Sequence, residues 1–174
     1  MKLMLVTFML VVSLFGIDNG IYNVVKVIDG DTIDVVSNDN PEIKTRVRMA
    51  FIDTMESMKN VRAKKLSAKC NIDILDILED GKESKKYLMS LTLTKDVNII
   101  FYGIDSTGKR EVGEIFLPGD TESINIKMIK YGKAAPYYTY IKRFKKDINF
   151  YRNIKVENES YVINDECVKA FLGD

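Results

Sequence analysis

Tyr22-Asn-Val-Val-Lys-Val-Ile28, then Asp29-Gly30, then Asp31-Thr32-Ile33-Asp34-Val35-Val36 decides the fold. Two runs rich in β-branched residues meet at an Asp-Gly pair, a strong hairpin signal. Asn38 to Pro41 make the next turn, and Lys44 to Ile52 alternates well enough for a third strand. Val97 to Tyr102 reads as a fourth strand and Glu111 to Leu117 as a fifth. The turn between them, Gly103 to Lys109, is rich in Gly, Asp, Ser and Thr.

The intervals carry the helices. Met58 to Cys70 is basic and reads as a loop. Ile74, Leu75 and Leu78, and again Tyr87, Leu88 and Leu91, have helical spacing, with Gly81 interrupting it. Ser123 caps a short helix with Ile124, Met128 and Tyr131 on one face and Gly132 as its stop. The charged stretch from Lys142 is helical in part and ends in a helix near Glu166 to Leu172. This order predicts an α+β fold: a five-stranded Greek-key barrel of the OB type with about three helices, an architecture whose face and loops bind oligonucleotides.

The chain has 174 residues, 46% of them hydrophobic, enough for one domain with a real core. A formal charge of +1 argues against a sequence-wide grip on nucleic acid and leaves that task to a few placed cations. There is no histidine, which excludes Ser-His-Asp and Cys-His catalysis, His-ligated zinc and a histidine base. Proton transfer falls to Asp, Glu, Lys, Tyr or a bound water. The two cysteines, Cys70 and Cys167, lack a CxxC spacing and make no cysteine-rich zinc site.

Lys2 followed by the apolar run Leu3 to Phe15 has the length of a signal-peptide core and is short for a transmembrane helix. Residues 1–20 are therefore expected to be a signal peptide, with an uncleaved anchor as the alternative, and residues 21–174 the folded domain. Export to the periplasm or medium would permit Cys70 and Cys167 to join; two separate buried thiols is the other reading.

The chemistry concentrates in two places. Asp29-Gly30-Asp31-Thr32 closes the first hairpin, and Arg48-Met49-Ala50-Phe51-Ile52-Asp53-Thr54-Met55-Glu56 ends the third strand. Side by side they put several carboxylates and a guanidinium into one small space. Such charges repel unless a cation or a phosphate sits among them. Arg46 shares parity with Arg48 but lies too far from Asp53 and reads as an auxiliary cation.

Arg48-x-x-x-x-Asp53-Thr54-x-Glu56 after an Asp-Gly-Asp-Thr hairpin resembles the staphylococcal nuclease (thermonuclease) family. The likeness continues through Asp105-Ser-Thr-Gly-Lys109-Arg110-Glu-Val-Gly, through Ile124-Asn125 to Gly132, and through Tyr138-Thr139-Tyr140. The resemblance implies that Asp31, Asp53 and the Thr54 carbonyl hold calcium, whose preference is for oxygen ligands. Arg48 and Arg110 would clamp the scissile phosphate, and Glu56 would orient or deprotonate the attacking water. Asp105, Lys109, Tyr138 and Tyr140 would contact substrate, with Lys109 the rival to Arg110 as second clamp. On an extended stretch, Tyr138 and Tyr140 would share one side and could stack a base, or simply pack on the barrel. The implied activity is calcium-dependent hydrolysis of DNA and RNA to 3′-phosphate ends, by a monomer with no obligate protein partner. The other class is a non-catalytic binding module on the same fold. Three departures stand out: Met55 where the family has proline, a turn one residue longer before Arg110, and a longer segment from Ser57 to Leu78.

Overall fold

β1 (Ile21–Asp29) and β2 (Thr32–Ser37) form the expected hairpin, with Asp29 opposite Thr32 and only Gly30 and Asp31 in the turn. The computed structural model describes residues 20–158 and 160–173. The segment read as a signal peptide lies, apart from residue 20, outside the described residues. In β1, Tyr22 and Val24 face the core; a register shift between Val24 and Lys26 then moves the buried position to Val27. A bulge of this kind adds bend and twist, which closing a barrel requires.

β3 (Lys44–Met49) pairs antiparallel with β2, bringing Arg48 opposite Thr32 and Arg46 opposite Asp34. β6 (Glu111–Phe116) runs parallel to β3 and antiparallel to β5 (Asp96–Ile104), which returns to β1. The result is a closed barrel in the order β1-β2-β3-β6-β5. Its interior is filled by Val24, Ile33, Val47, Ile99, Val112 and Ile115, all essentially inaccessible to water. This is the α+β, OB-type barrel that the strand order implies.

The third strand stops earlier than its alternation suggests. β3 ends at Met49, and Phe51 takes a left-handed backbone (φ 66°) that a residue with a Cβ adopts at a cost of about 1–2 kcal/mol. Aromatic packing offsets this strain: the Phe51 ring lies 4.9 Å from Tyr102 and 5.5 Å from Tyr151. Beyond this kink, β4 (Ile52–Asp53) leaves the barrel and pairs with β7 (Ala135–Pro136) in a separate ribbon. The kink turns Asp53 back toward the hairpin tip.

The basic stretch after Met58 is a helix, not a loop. Asn60 caps α1 (Val61–Cys70) by accepting from the Ala63 amide, but only Ala63 and Leu66 of that helix are buried. So narrow an apolar stripe gives little periodic signal. α2 (Ile74–Thr92) then runs unbroken through Gly81. That glycine is a contact, not an interruption: a Cβ there would collide with the Glu56 carbonyl, so its absence lets the chain bearing Glu56 lie on the helix.

α3 (Ile124–Lys130) has its Ser123 cap, and Gly132 follows at φ 64°. Asn125 on α3 is fully buried; its amide accepts from the Ile115 N–H (3.0 Å) and donates to the Ala50 carbonyl (2.7 Å), fixing α3 to β6 and to the end of β3. α4 (Tyr138–Arg143), α5 (Ile148–Arg152), α6 (Tyr161–Asn164) and α7 (Glu166–Gly173) complete seven helices among the described residues, more than the expected three or so because several span little over one turn. A second core, with Met55, Leu66, Ile77, Val162, Val168 and Leu172, lies among α1, α2, α6 and α7. Over it Cys70 and Cys167 form a disulfide (Cα–Cα 5.6 Å) tying α1 to α7. No described helix is long and apolar enough to cross a membrane.

Candidate active site

Three pieces of chain converge at one end of the barrel: the hairpin tip, the end of β3 and the β4 ribbon. The Met49 amide donates to the Asp31 carbonyl (2.8 Å), which locks the tip to β3. Gly30 is required here for space, since a Cβ would stand 2.8 Å from both Thr54 Oγ1 and Ser84 Cβ. Asp31 accepts from the Thr32 hydroxyl (2.9 Å) and the Thr54 hydroxyl (3.2 Å) and pairs with Arg48. Arg48 Nη2 in turn donates to Asp53 Oδ1 at 2.6 Å. Asp31, Arg48, Asp53 and Thr54 are all buried, and they line a cleft of about 740 Å³.

Glu56 stands at the rim of the same cleft. Its Oε2 accepts from Asn60 (2.6 Å) and its Oε1 from Arg62 (2.8 Å); Arg62 also pairs with Asp53 Oδ2. The α1 cap therefore also orients Glu56. Asp29, Asp31, Asp53 and Glu56 line the cleft, and the guanidiniums paired with them are those of Arg48 and Arg62.

Lys65 and Arg110 line the cleft as well, but the four carboxyls still crowd one another, and they respond. Burial, with Asp31 close by, pushes Asp29 up. Burial also pushes Asp53 up to about 6, against the pull of Arg48 and Arg62. Burial acts on Asp31 too, but Arg48 and the Thr32 hydroxyl outweigh it and hold that carboxyl below its ordinary value. One carboxyl held low beside one held high is how two like charges share a small space. A divalent cation among these carboxyls would relieve their mutual repulsion. The donors are all oxygen, so the residues fit calcium.

Arg110 reaches the cleft from the turn before β6. Its Nε donates to Asp105 Oδ2 at 2.6 Å, while Asp105 Oδ1 accepts from the Thr107 hydroxyl (2.7 Å) and amide (3.1 Å). Burial raises Asp105, but these bonds outweigh it and hold its carboxyl well below the ordinary range. Asp105 is thus a buried brace that aims Arg110, and its own side chain is not part of the cleft lining. Lys109 lies outside the cleft, in a neighbouring groove with Lys44, Thr45 and Arg46. Arg46 pairs with Asp34 (2.7 Å) across the strands, away from the acidic cluster.

The tyrosines need a correction. Tyr138 and Tyr140 lie in helix α4, where residues two apart point in nearly opposite directions. Tyr140 lines the cleft, whereas Tyr138 faces a different hollow under Arg152. Tyr137 takes the expected place, with its ring 4.8 Å from Tyr140 and 6.0 Å from the Arg48 guanidinium. Arg62, Tyr137 and Phe171 are cleft residues that the sequence reading missed. The signal for Arg62 was Asn60, a cap residue that starts a helix and so puts Arg62 in its first turn.

No curated protein sequence matches the chain. The sequence pattern of a family described as Staphylococcal nuclease homologue matches residues 46–160. The match takes in Arg48, Asp53, Glu56, Arg110 and Tyr140; the Asp31 hairpin precedes it but is paired strand to strand with the matched region. With the barrel closed in OB order and this match covering well over half its length, the chain belongs to the staphylococcal nuclease homologue family, a family of nuclease-type and OB-fold nucleic-acid-binding domains.

Proposed function

We propose that the protein is an exported nuclease that uses calcium to hydrolyse phosphodiester bonds of DNA and RNA, leaving 3′-phosphate ends. The observation that carries this reading is the joint burial of Asp31, Asp53 and Arg48 on one wall of the cleft. Metal-type carboxylates and a phosphate-type guanidinium occupy the same few ångströms.

Asp31, Asp53 and the Thr54 carbonyl would hold the ion, which when bound supplies Lewis acidity and a template for the phosphate. Arg48 and Arg110 present planar forks suited to phosphate oxygens and to the charge that grows on them. Glu56, oriented by Asn60 and Arg62, accepts a proton from the attacking water. As the water oxygen bonds to phosphorus, the bond to the 5′ oxygen breaks, and that oxygen leaves with the bonding pair and takes a proton from solvent, to which Glu56 later returns its own. Tyr137 and Tyr140 offer ring surface to a base. Export is supported by Lys2 with the apolar run behind it and by the Cys70–Cys167 bond, which an oxidising compartment sustains.

The test is degradation of plasmid and RNA with calcium and with a chelator, by wild type, Glu56→Ala and Arg48→Ala. Calcium-dependent cleavage lost in both variants is the expected result. No cleavage with any divalent ion, by protein shown to be folded, would refute the enzyme reading and leave a binding module.

A further inference from the structure

Two guanidiniums pair with the carboxylates of the acidic cluster, and they are held differently. Arg48 is locked into the wall: its side chain is 7% exposed and it bonds to Asp31 and Asp53. Arg62 projects from the first turn of α1 at the rim, with 37% of its side chain exposed. It spans Asp53 Oδ2 and Glu56 Oε1, and its guanidinium lies 5.7 Å from the Phe171 ring of α7. Between them the two arginines take both oxygens of Asp53: Oδ1 goes to Arg48 and Oδ2 to Arg62. Asp31, by contrast, has its oxygens engaged by Arg48 and by two hydroxyls, which are themselves compatible with a nearby cation.

A cation that ligates Asp53 therefore meets a guanidinium already in place, and of the two only Arg62 has solvent to move into. We propose that Arg62 is an internal counter-cation of the metal site: it holds Asp53 Oδ2 in the metal-free protein and yields that oxygen when a divalent ion binds. Calcium affinity is then set by a competition within the chain, since an ion shifts the equilibrium only by what it gains over the contact it replaces. After yielding Asp53, Arg62 keeps Glu56 and the Phe171 face, and so acts as a positioning residue for Glu56. An ordinary rim ion pair would have no such effect on metal binding.

This inference rests on the calcium reading of the site, and the experiment separates the two. Calcium alone, without nucleic acid, is titrated calorimetrically into the full disulfide-bonded chain as wild type, Arg62→Gln, Arg62→Lys and Lys65→Gln. Lys65 lines the same cleft, so its removal reports the plain effect of one lost positive charge. Arg62→Gln should bind calcium about tenfold more tightly than wild type or better, because a unit charge a few ångströms from the ion is removed. Arg62→Lys, a point charge without the fork, should tighten binding less but in the same direction. Lys65→Gln should change it little. Binding by Arg62→Gln that equals or falls below that of wild type overturns the inference, as does equal tightening by Lys65→Gln. If Arg62→Gln does not fold, unchanged or weaker binding by Arg62→Lys overturns it instead. Absence of calcium binding in wild type and variants alike would overturn the calcium reading itself.

Discussion

Opening the Cys70–Cys167 bond should cost the protein much of its stability. The bond joins residues 97 apart in sequence. In the chain-entropy relation, a closed loop of that length removes about 4.7 kcal/mol of freedom from the unfolded state at 25 °C. For a chain of this size each kcal/mol moves the melting temperature by roughly 2–4 °C, so the full term corresponds to about 9–19 °C. The measurement is urea denaturation of the oxidised protein against the reduced protein and a Cys70→Ser/Cys167→Ser variant. Far-ultraviolet circular dichroism and tyrosine fluorescence serve as probes, the chain having 9 tyrosines and no tryptophan. The bond also anchors α7, which contributes Phe171 and Leu172 to the cleft. Amide exchange in α7 should therefore rise on reduction, while the barrel strands stay protected. A loss below about 1 kcal/mol with an unchanged urea slope would refute the argument, because the bond would then not be restricting the unfolded chain.

Gly81→Ala, a change that stabilises most helix interiors by up to about 1 kcal/mol, should here cost about 1–3 kcal/mol, because its methyl meets the Glu56 backbone. A stabilised variant in chemical denaturation would contradict that contact. Asn125→Ala strands the buried Ile115 N–H and Ala50 carbonyl and should cost about 2–5 kcal/mol; a loss under 1 kcal/mol would mean other groups replace those bonds. Asp105 has a folded pKa depressed below its ordinary 3.8, so its stabilising contribution is present above that value and is lost as pH falls below it. Asp105→Asn should therefore be less stable than wild type near neutrality, with a shallower loss of stability from about pH 4 downward. Parallel acid limbs for the two proteins would refute the assignment.

The barrel was legible because local and non-local signals agree in it. Asp29-Gly30 between two β-branched runs, the alternation of β3 and the Asp-Ser-Thr-Gly turn each specify what the closed sheet also requires. What escaped the sequence reading was decided by tertiary contact. The kink at Phe51 has no glycine to announce it and persists through its aromatic neighbours and the ribbon that follows. Gly81 reads as a helix breaker until Glu56 is seen lying against it. Helix α1 has an apolar stripe too narrow to register, so Arg62, which it delivers to the acidic cluster, went unnoticed. Tyr137 was hidden by a wrong local geometry: α4 is helical where an extended stretch was expected, which exchanges the tyrosines that face the cleft. Asp31, Arg48 and Asp53, by contrast, come together from short-range geometry that their own motifs encode.

The cleft draws its lining from the first hairpin, the end of β3, α1, the turn before β6, α4 and α7. The full lining needs segments from Asp29 to Leu172, so occupancy of the complete cleft is coupled to the integrity of the whole fold. By mass action, a ligand that binds only the assembled cleft raises global stability by about 2.7 kcal/mol at a hundredfold excess over its dissociation constant. A shift in melting temperature is therefore a direct reading of affinity in this protein, and candidate ions and nucleotides can be ranked by it without following any reaction.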